Sequence, residues 1–506
     1  MEQGNDVYEN QELPIAASDV DCILLTHAHI DHSGLIPLMY VNGFRGQVYS
    51  TSATAQLCEI MLRDSAHIQM FEAEWRNRKA ARSGGKLKEF VPLYDMDAAV
   101  NVCKQFVGCE YDRVYDIAEG IKIRFTDVGH LLGSASIEVW ATEKTENGDV
   151  TEKIVFSGDI GNINKPIIKD PKHVRDADYV VMESTYGNRS HGGTPNYVED
   201  LTDIFKRTFE RGGNVVIPSF AVGRTQELLY IIRKIKEDNL VGRDFDVYMD
   251  SPLAIEATNI FIKNVESCFD DEAVELVRKG INPLTFPGLK YATTGDESKQ
   301  INFDPNPKVI ISSSGMCEAG RIRHHLKHNL WRPECTIVFV GYQAVGTTGR
   351  IIVDGAEEIK LFGEPIQIKA EIVQLQGSSG HADKDGLLCW INAFDRKPKK
   401  VFVVHGEDSV CDEFTECLKE EYGYDAMAPY TGGSYDLIAD RVISEGVKER
   451  KTRRTTSTQR GKTVFDRLVA AGKRLMTVIT HNEGGTNKDL AKFTDQINAL
   501  CDKWDR

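Results

Sequence analysis

The sequence has little of what marks a disordered, secreted or membrane-spanning chain. Proline is sparse at 16 of 506 residues, while hydrophobic residues make up 41% and charged residues 27%. That balance excludes low-complexity disorder and predicts folded domains. Cysteine occurs eleven times, an odd number without regular spacing. A disulfide framework is therefore not expected, and Cys22, Cys335 and Cys389, each within an apolar run, read as reduced core thiols. No basic segment followed by an apolar stretch stands near Met1, and no apolar run approaches the roughly 18 residues needed to cross a bilayer. Neither a targeting segment nor a membrane segment is expected, and the reduced thiols suit the cytoplasm. Net positive charge is also missing. A formal charge of -15 argues against a protein that coats nucleic acid nonspecifically, yet it allows a local basic groove.

What is present is alternation. At 506 residues the chain exceeds one ordinary core, so two or three domains are expected. Short β-rich runs alternate with helical patterns from about residue 20 to residue 425, the mark of layered α/β architecture. The runs begin with Cys22 to Leu25 and Val48 to Ser50. They continue through Ile121 to Phe125, Ile137 to Trp140, Ile154 to Phe156 and Tyr179 to Met182. A second series comprises Val215 to Ile217, Val247 to Met249, Val309 to Ile311, Thr336 to Val340, Ile366 to Val373 and Val401 to Val404. Glu227 to Ile235 and Asp412 to Leu418 carry helical spacing. No internal repeat is present. From about residue 440 the character changes: a basic run from Lys448 to Arg454 leads into a polar linker, and amphipathic helices are predicted over about 463 to 480 and 487 to 504. The basic run reads either as a solvated connector or as an auxiliary RNA contact.

The densest chemistry lies in Thr26-His27-Ala28-His29-Ile30-Asp31-His32, where four potential metal ligands follow an apolar strand within six residues. Few structural roles need such crowding. Imidazole and carboxylate suit a borderline divalent cation, and alternate residues of an extended loop can divide between two neighbouring ions. One run cannot fill two coordination spheres. Further donors stand at the ends of other strands: His130 after Ile121 to Val128, Asp159 after Ile154 to Phe156, and His405 after Val401 to Val404. Each alone would be an ordinary loop residue, and their shared position is what singles them out.

Taken together, these residues resemble the β-CASP group of metallo-β-lactamase-fold hydrolases, which includes ribonuclease J and the nuclease subunit of the mRNA 3′-end cleavage machinery. The resemblance runs over about residues 10 to 435. It implies His27, His29 and His130 on one metal, Asp31, His32 and His405 on a second, and Asp159 between them. It matches Glu183, in Met182-Glu183-Ser184-Thr185-Tyr186-Gly187, to the family's acidic motif. His381, in Gly377-Ser378-Ser379-Gly380-His381-Ala382-Asp383, matches its next motif. A histidine at 405 is the variant typical of RNA-cutting members. Segments Pro218 to Leu229, Ser312 to Met316 and Gly341 to Arg350 look like the inserted β-CASP domain. Their Gly-rich loops after strands, and a helix starting near Gly223, could present backbone N–H groups to phosphates, or they could be tight turns and nothing more. Neither is a P-loop, because the Lys-Ser/Thr ending is absent. Arg224, Arg321, Arg350, Ser378 and Ser379 are the candidates for gripping a strand's backbone.

The implied fold is a metallo-β-lactamase αββα sandwich with an inserted β-CASP α/β domain and a helical C-terminal extension. Its expected domains are 1–194 and 371–440 for the sandwich, 195–370 for the insert, and 441–506 for the basic linker and helices. Family members carry further β-strands before the first histidine run, so the short stretch before His27 predicts an unpaired sheet edge and an impaired metal loop. The expected activity is hydrolysis of single-stranded RNA, endonucleolytic or from the 5′ end. Two zinc ions, with manganese as second choice, would activate a water that Asp31 orients. His381 would protonate the leaving oxygen, with Glu183 fixing its tautomer. A homodimer is a candidate assembly. Two rivals stand beside this reading: a small-molecule thioesterase or lactonase, which the His27–His32 run would serve equally well, and a catalytically dead RNA-binding homologue. The long insert weighs against the first and the filled ligand positions against the second.

Overall fold

The computed structural model describes residues 15–82, 90–146, 148–190, 192, 196–375, 379–448, 464–482 and 487–504. Cys22–Leu24, Gln47–Thr51 and Phe106–Cys109 form a parallel three-stranded sheet in that order. Among the described residues Cys22–Leu24 pairs on one side alone. The second sheet has seven strands, in the order Ala426–Met427, Lys400–Val404, Tyr179–Glu183, Gly148–Phe156, Ala135–Thr145, Ile121–Asp127 and Val114–Ala118. The sheets meet face to face where Ile123, Phe125, Ile137 and Val139 pack with Leu24 and Tyr49. Helices Ser52–Arg82 and Met96–Cys103 cover the outer face of the small sheet, with Leu57, Leu62, Ala98 and Val102 against Val48. Lys384–Ile391 and Asp408–Glu420 cover the large one, with Leu387, Trp390 and Phe414 against Val180, Met182 and Val401. These are the four layers that the resemblance implies.

The insert is a six-stranded, all-parallel sheet in the order Leu289–Tyr291, Asp246–Asp250, Lys308–Ser312, Val215–Pro218, Thr336–Phe339 and Glu371–Gln374. Val215, Ile217, Val309 and Ile311 face Phe205, Leu228 and Leu229, whereas Val216 and Ile310 face Ile322, Leu326 and Ile352. Burial on both faces is why these strands read as unbroken apolar runs rather than as alternating ones. The run expected over Ile366 to Val373 divides: Glu364–Gln367 closes a hairpin with Glu358–Leu361, and Glu371–Gln374 joins the six-stranded inserted sheet. The inserted sheet therefore continues past residue 370. One apolar core unites the insert with the first domain, since Leu131, Leu132, Ile167 and Ile168 cluster with Leu228, Phe261 and Phe269.

Two further expectations meet the structure at the surface. All eleven cysteines are free thiols and Cys335 is buried, but Cys22 is only half-buried and Cys389 is exposed on the outer side of its helix. The basic run after Lys448 lies outside the described residues, and the two C-terminal helices span Val464–His481 and Asn487–Trp504. No helix among the described residues is long and apolar enough to cross a membrane.

Arg321, a candidate RNA contact, turns inward. Its guanidinium donates to the Asp250 carboxylate at 2.7 Å and to the carbonyls of Ala292 and Thr293 at 2.9 and 2.8 Å. Asp250 is fully buried and also accepts from Ser298 and pairs with His325, both at 2.6 Å. Burial pushes the Asp250 carboxyl up, but His325, Ser298 and Arg321 outweigh it and hold it below the ordinary value. A carboxylate with a depressed folded value stabilises at pH above its unfolded value and ceases to do so as pH falls through the folded one. Asp250→Asn is therefore expected to cost about 3 kcal/mol at neutral pH, because the half-buried Arg321 guanidinium loses its counter-charge and the buried network with Ser298 and His325 loses its acceptor. The difference from the parent should shrink on acidification, and urea unfolding at a series of pH values checks both.

Candidate metal centre and active site

The first candidate ligands come from the turn between strand Cys22–Leu24 and the short helix Ile30–Ser33. Ser33 Oγ donates to the carbonyls of Ala28 and His29 at 2.9 and 3.0 Å, folding that turn back on itself. His130 and His405 each follow a strand of the large sheet and adopt left-handed backbone, with φ of 63° and 52°. That region is sparsely used by residues with a side chain and turns both rings back over the sheet end. Space is tight there: a Cβ on Gly161 would stand 2.2 Å from the His130 amide nitrogen.

Donor atoms converge in two groups. His29 Nδ1 lies 3.2 Å from His27 Nε2 and 3.0 Å from His130 Nε2. Asp159 Oδ2 stands 3.3 Å from His27 Nε2 and 3.4 Å from His130 Nε2. In the second group His32 Nε2 is 3.1 Å from His405 Nε2, which is 3.7 Å from Asp31 Oδ2. Asp159 Oδ1 approaches the same two rings at 3.3 and 3.7 Å. Donors about 2.0 to 2.1 Å from a tetrahedral ion stand roughly 3.3 to 3.4 Å apart, so the first group already has the spacing of a zinc shell. Asp159 turns one oxygen to each group, and its Oδ1 is buried without a hydrogen-bond partner. The donor set fits divalent metal.

Electrostatics agree. Burial, reinforced by His27, pushes His29 down to about 3, and burial also lowers His27 and His130. All three are thus neutral imidazoles with a lone pair to offer, as ligation requires. Burial pushes the Asp159 carboxyl up, but His27, His32 and His130 hold it well below the usual range. The first group is the more enclosed, with His27, His130 and Asp159 buried and His29 half-buried, whereas the side chains of Asp31, His32 and His405 are 27%, 19% and 28% exposed. The second group is therefore the side of the site more open to solvent.

Beside these donors, His381 Nδ1 lies 3.1 Å from Glu183 Oε2, and its Nε2 faces Asp159 Oδ2 at 3.8 Å. Backbone bonds from Asn162 to Gly380 and from Ala382 to Ile160 stitch the His381 loop to the loop after Asp159. Glu183 is buried and accepts from the Ile160 amide at 2.5 Å. Burial alone would lower His381, but Glu183 and Asp159 outweigh it and raise the ring above its ordinary value.

The candidate RNA contacts fare unevenly. Arg224 donates to Glu227 at 2.6 Å, Arg350 pairs with Asp354 one helical turn on, and Arg321 is held as described above. Ser379 Oγ accepts from the His381 amide, so it shapes the loop, while Ser378 lies outside the described residues. Two threonines that sequence reasoning missed support the rings: Thr26 Oγ1 is 3.2 Å from His27 Nδ1, and Thr185 Oγ1 is 3.1 Å from His405 Nδ1. Both adjoin motifs already singled out, and adjacency was the one signal available.

Known proteins share these parts. Residues 225–352 match the Beta-Casp domain family and residues 365–429 the Zn-dependent metallo-hydrolase RNA specificity domain. Ribonuclease TTHA0252 of Thermus thermophilus is 34% identical over 390 residues, 77% of this chain and 82% of that protein. The RNase J-like protein of Methanocaldococcus jannaschii is 31% identical over 392 residues, with shares of 77% and 82%. Transcription termination factor FttA of Methanosarcina mazei is 32% identical over 421 residues, 81% of this chain but 62% of the longer archaeal protein.

Proposed function

We propose a division of catalytic labour for this chain, which belongs to the β-CASP ribonucleases of the metallo-β-lactamase superfamily and hydrolyses RNA with a divalent metal cofactor. The observation that carries it is Asp159, whose two oxygens face two separate donor groups. In this reading His27, His29 and His130 hold one zinc ion, Asp31, His32 and His405 hold a second, and Asp159 joins them; manganese is the alternative. Two such ions supply an activated water and neutralise charge on the phosphodiester. Asp31, on the exposed side, orients that water. His381 gives a proton from Nε2 to the leaving ribose oxygen, and Glu183, bonded to Nδ1, keeps the ring aimed and basic. The substrate is single-stranded RNA, whose flexible backbone can bend into a recessed site.

Chelator-stripped protein is expected to leave a 5′-labelled RNA oligonucleotide intact and to regain cleavage as zinc or manganese is added, saturating near two equivalents. The same RNA in a perfect duplex, and a DNA strand of the same sequence, should be cut at least about 100-fold more slowly. Equal cutting of DNA, or full activity at one equivalent, contradicts the proposal.

A further inference from the structure

Rings around the site have their outer nitrogen held: His27 by Thr26, His405 by Thr185 and His381 by Glu183. His130 differs. Its Nε2 points into the first donor group, but its buried Nδ1 has no hydrogen-bond partner in the protein. A metal-binding histidine donates its second N–H to a carboxylate, a carbonyl or a water, and that partner sets the tautomer and ring orientation.

A cavity beside His130 lies between the two domains. His130, Pro166 and Ile168 line it from the first domain, and Gly223, Glu227 and Phe261 from the insert, with room for about one water molecule. Lys165 Nζ sits 2.5 Å from Glu227 Oε1, while Glu227 Oε2 accepts from Arg224 at 2.6 Å. The side chains of Lys165 and Glu227 are only 5% and 9% exposed. A Cβ on Gly380 would stand 3.4 Å from His130 Nδ1 and 3.9 Å from Lys165 Nζ, so both nitrogens border one opening over that glycine. Glu227 lies on helix Arg224–Glu237 of the insert, and Lys165 lies in the loop after Asp159. A buried ion pair thus ties the domains together next to a buried ring nitrogen that lacks a partner in the protein. Each Glu227 oxygen keeps a second lone pair for a water.

We propose that Glu227, clamped by Lys165 and Arg224, is the outer partner of His130 across this cavity through one bridging water, so that seating of the insert sets the geometry of the first metal site. Glu227 and Lys165 are then positioning residues supplied from both sides of the domain junction. The inference rests on His130 being a ligand.

Competition against a chromophoric zinc chelator tests it. Glu227→Gln is expected to stay folded by circular dichroism and to weaken zinc affinity at one site by about 10- to 100-fold, leaving the other unchanged. Gly380→Ala puts a methyl group into the same opening without close contact and is expected to do likewise. It decides the matter alone should Glu227→Gln not fold, and unchanged affinity there overturns the proposal. Asp250→Asn loosens the insert elsewhere and should leave zinc affinity intact; equal weakening in that variant would reduce Glu227 to a merely structural role and overturn the proposal. His130→Asn separates the premises. If it binds zinc as the parent does, the ligand assignment falls, whereas loss in His130→Asn with parental affinity in Glu227→Gln removes the Glu227 inference alone.

Discussion

Asp159→Asn is expected to lower RNA cleavage at least about a thousandfold and to reduce bound zinc from two equivalents to one or none. An asparagine keeps the shape but offers one neutral oxygen where the carboxylate presents two charged ones, to His27 and His130 on one side and His32 and His405 on the other. The side chain is 2% exposed, so solvent cannot restore the missing charge. The stability readout separates this loss from misfolding. In the metal-free protein Asp159 is a buried anion that His27, His32 and His130 hold well below the ordinary carboxylate range, so its charge contributes stability at neutral pH and the variant gives that up. The metal-free variant should therefore melt somewhat below the metal-free parent while still unfolding in one cooperative transition. Two bound zinc equivalents in a cooperatively folded variant would show that Asp159 is not the joint between the metals.

His381→Ala carries the second large effect: kcat on RNA falls by about 10² to 10⁴, while KM and zinc content stay near those of the parent. The ring approaches Asp159 at 3.8 Å and packs on the His130 ring with centroids 4.5 Å apart, but it is not itself among the proposed ligands, so its removal leaves all of them present. A general acid matters in proportion to how poor the leaving group is. With a p-nitrophenyl phosphodiester, whose departing oxygen needs no proton, the loss should shrink to less than about tenfold. Equal losses on the two substrates would assign His381 to binding rather than proton transfer. Glu183→Gln keeps a hydrogen-bond acceptor at His381 Nδ1 but removes the charge that raises the ring, so an intermediate loss of about 10- to 100-fold on RNA is expected.

Much of this was legible before any coordinates. The cluster from His27 to His32 declares itself because its chemistry is local: neighbouring residues of one turn need no fold to bring them together. Strand runs such as Val309 to Ile311 and Val401 to Val404 sit where their apolar residues predict: the first is buried on both faces and so leaves an unbroken signature, while the second buries Val401 and Val403 and leaves Phe402 and Val404 half-buried. His130, Asp159, His405, Glu183 and His381 could be picked out through the resemblance, and the structure brings all five to one place.

Other features had no local signature. The insert's last strand, Glu371–Gln374, is placed by pairing with Thr336–Phe339, a contact between segments far apart in the chain that no window of residues around 370 contains. The three arginines look alike in sequence. Their use is decided by neighbours, and Arg321 goes to Asp250 because parallel packing sets the end of strand Asp246–Asp250 beneath it.

The sequence by itself determined the chemical inventory: neutral nitrogen and carboxylate donors in a family order, the β-run spacing of two α/β domains, and the pairing of Glu183 with His381 as motifs. Tertiary structure alone decided how that inventory is shared. The split of Asp159 between two donor groups, the left-handed backbone that turns His130 and His405 inward, and the Lys165–Glu227 pair beside His130 all arise where distant strand ends meet. The reason is physical: coordination and burial depend on distances of a few ångströms between chain segments up to hundreds of residues apart, and only packing sets those distances.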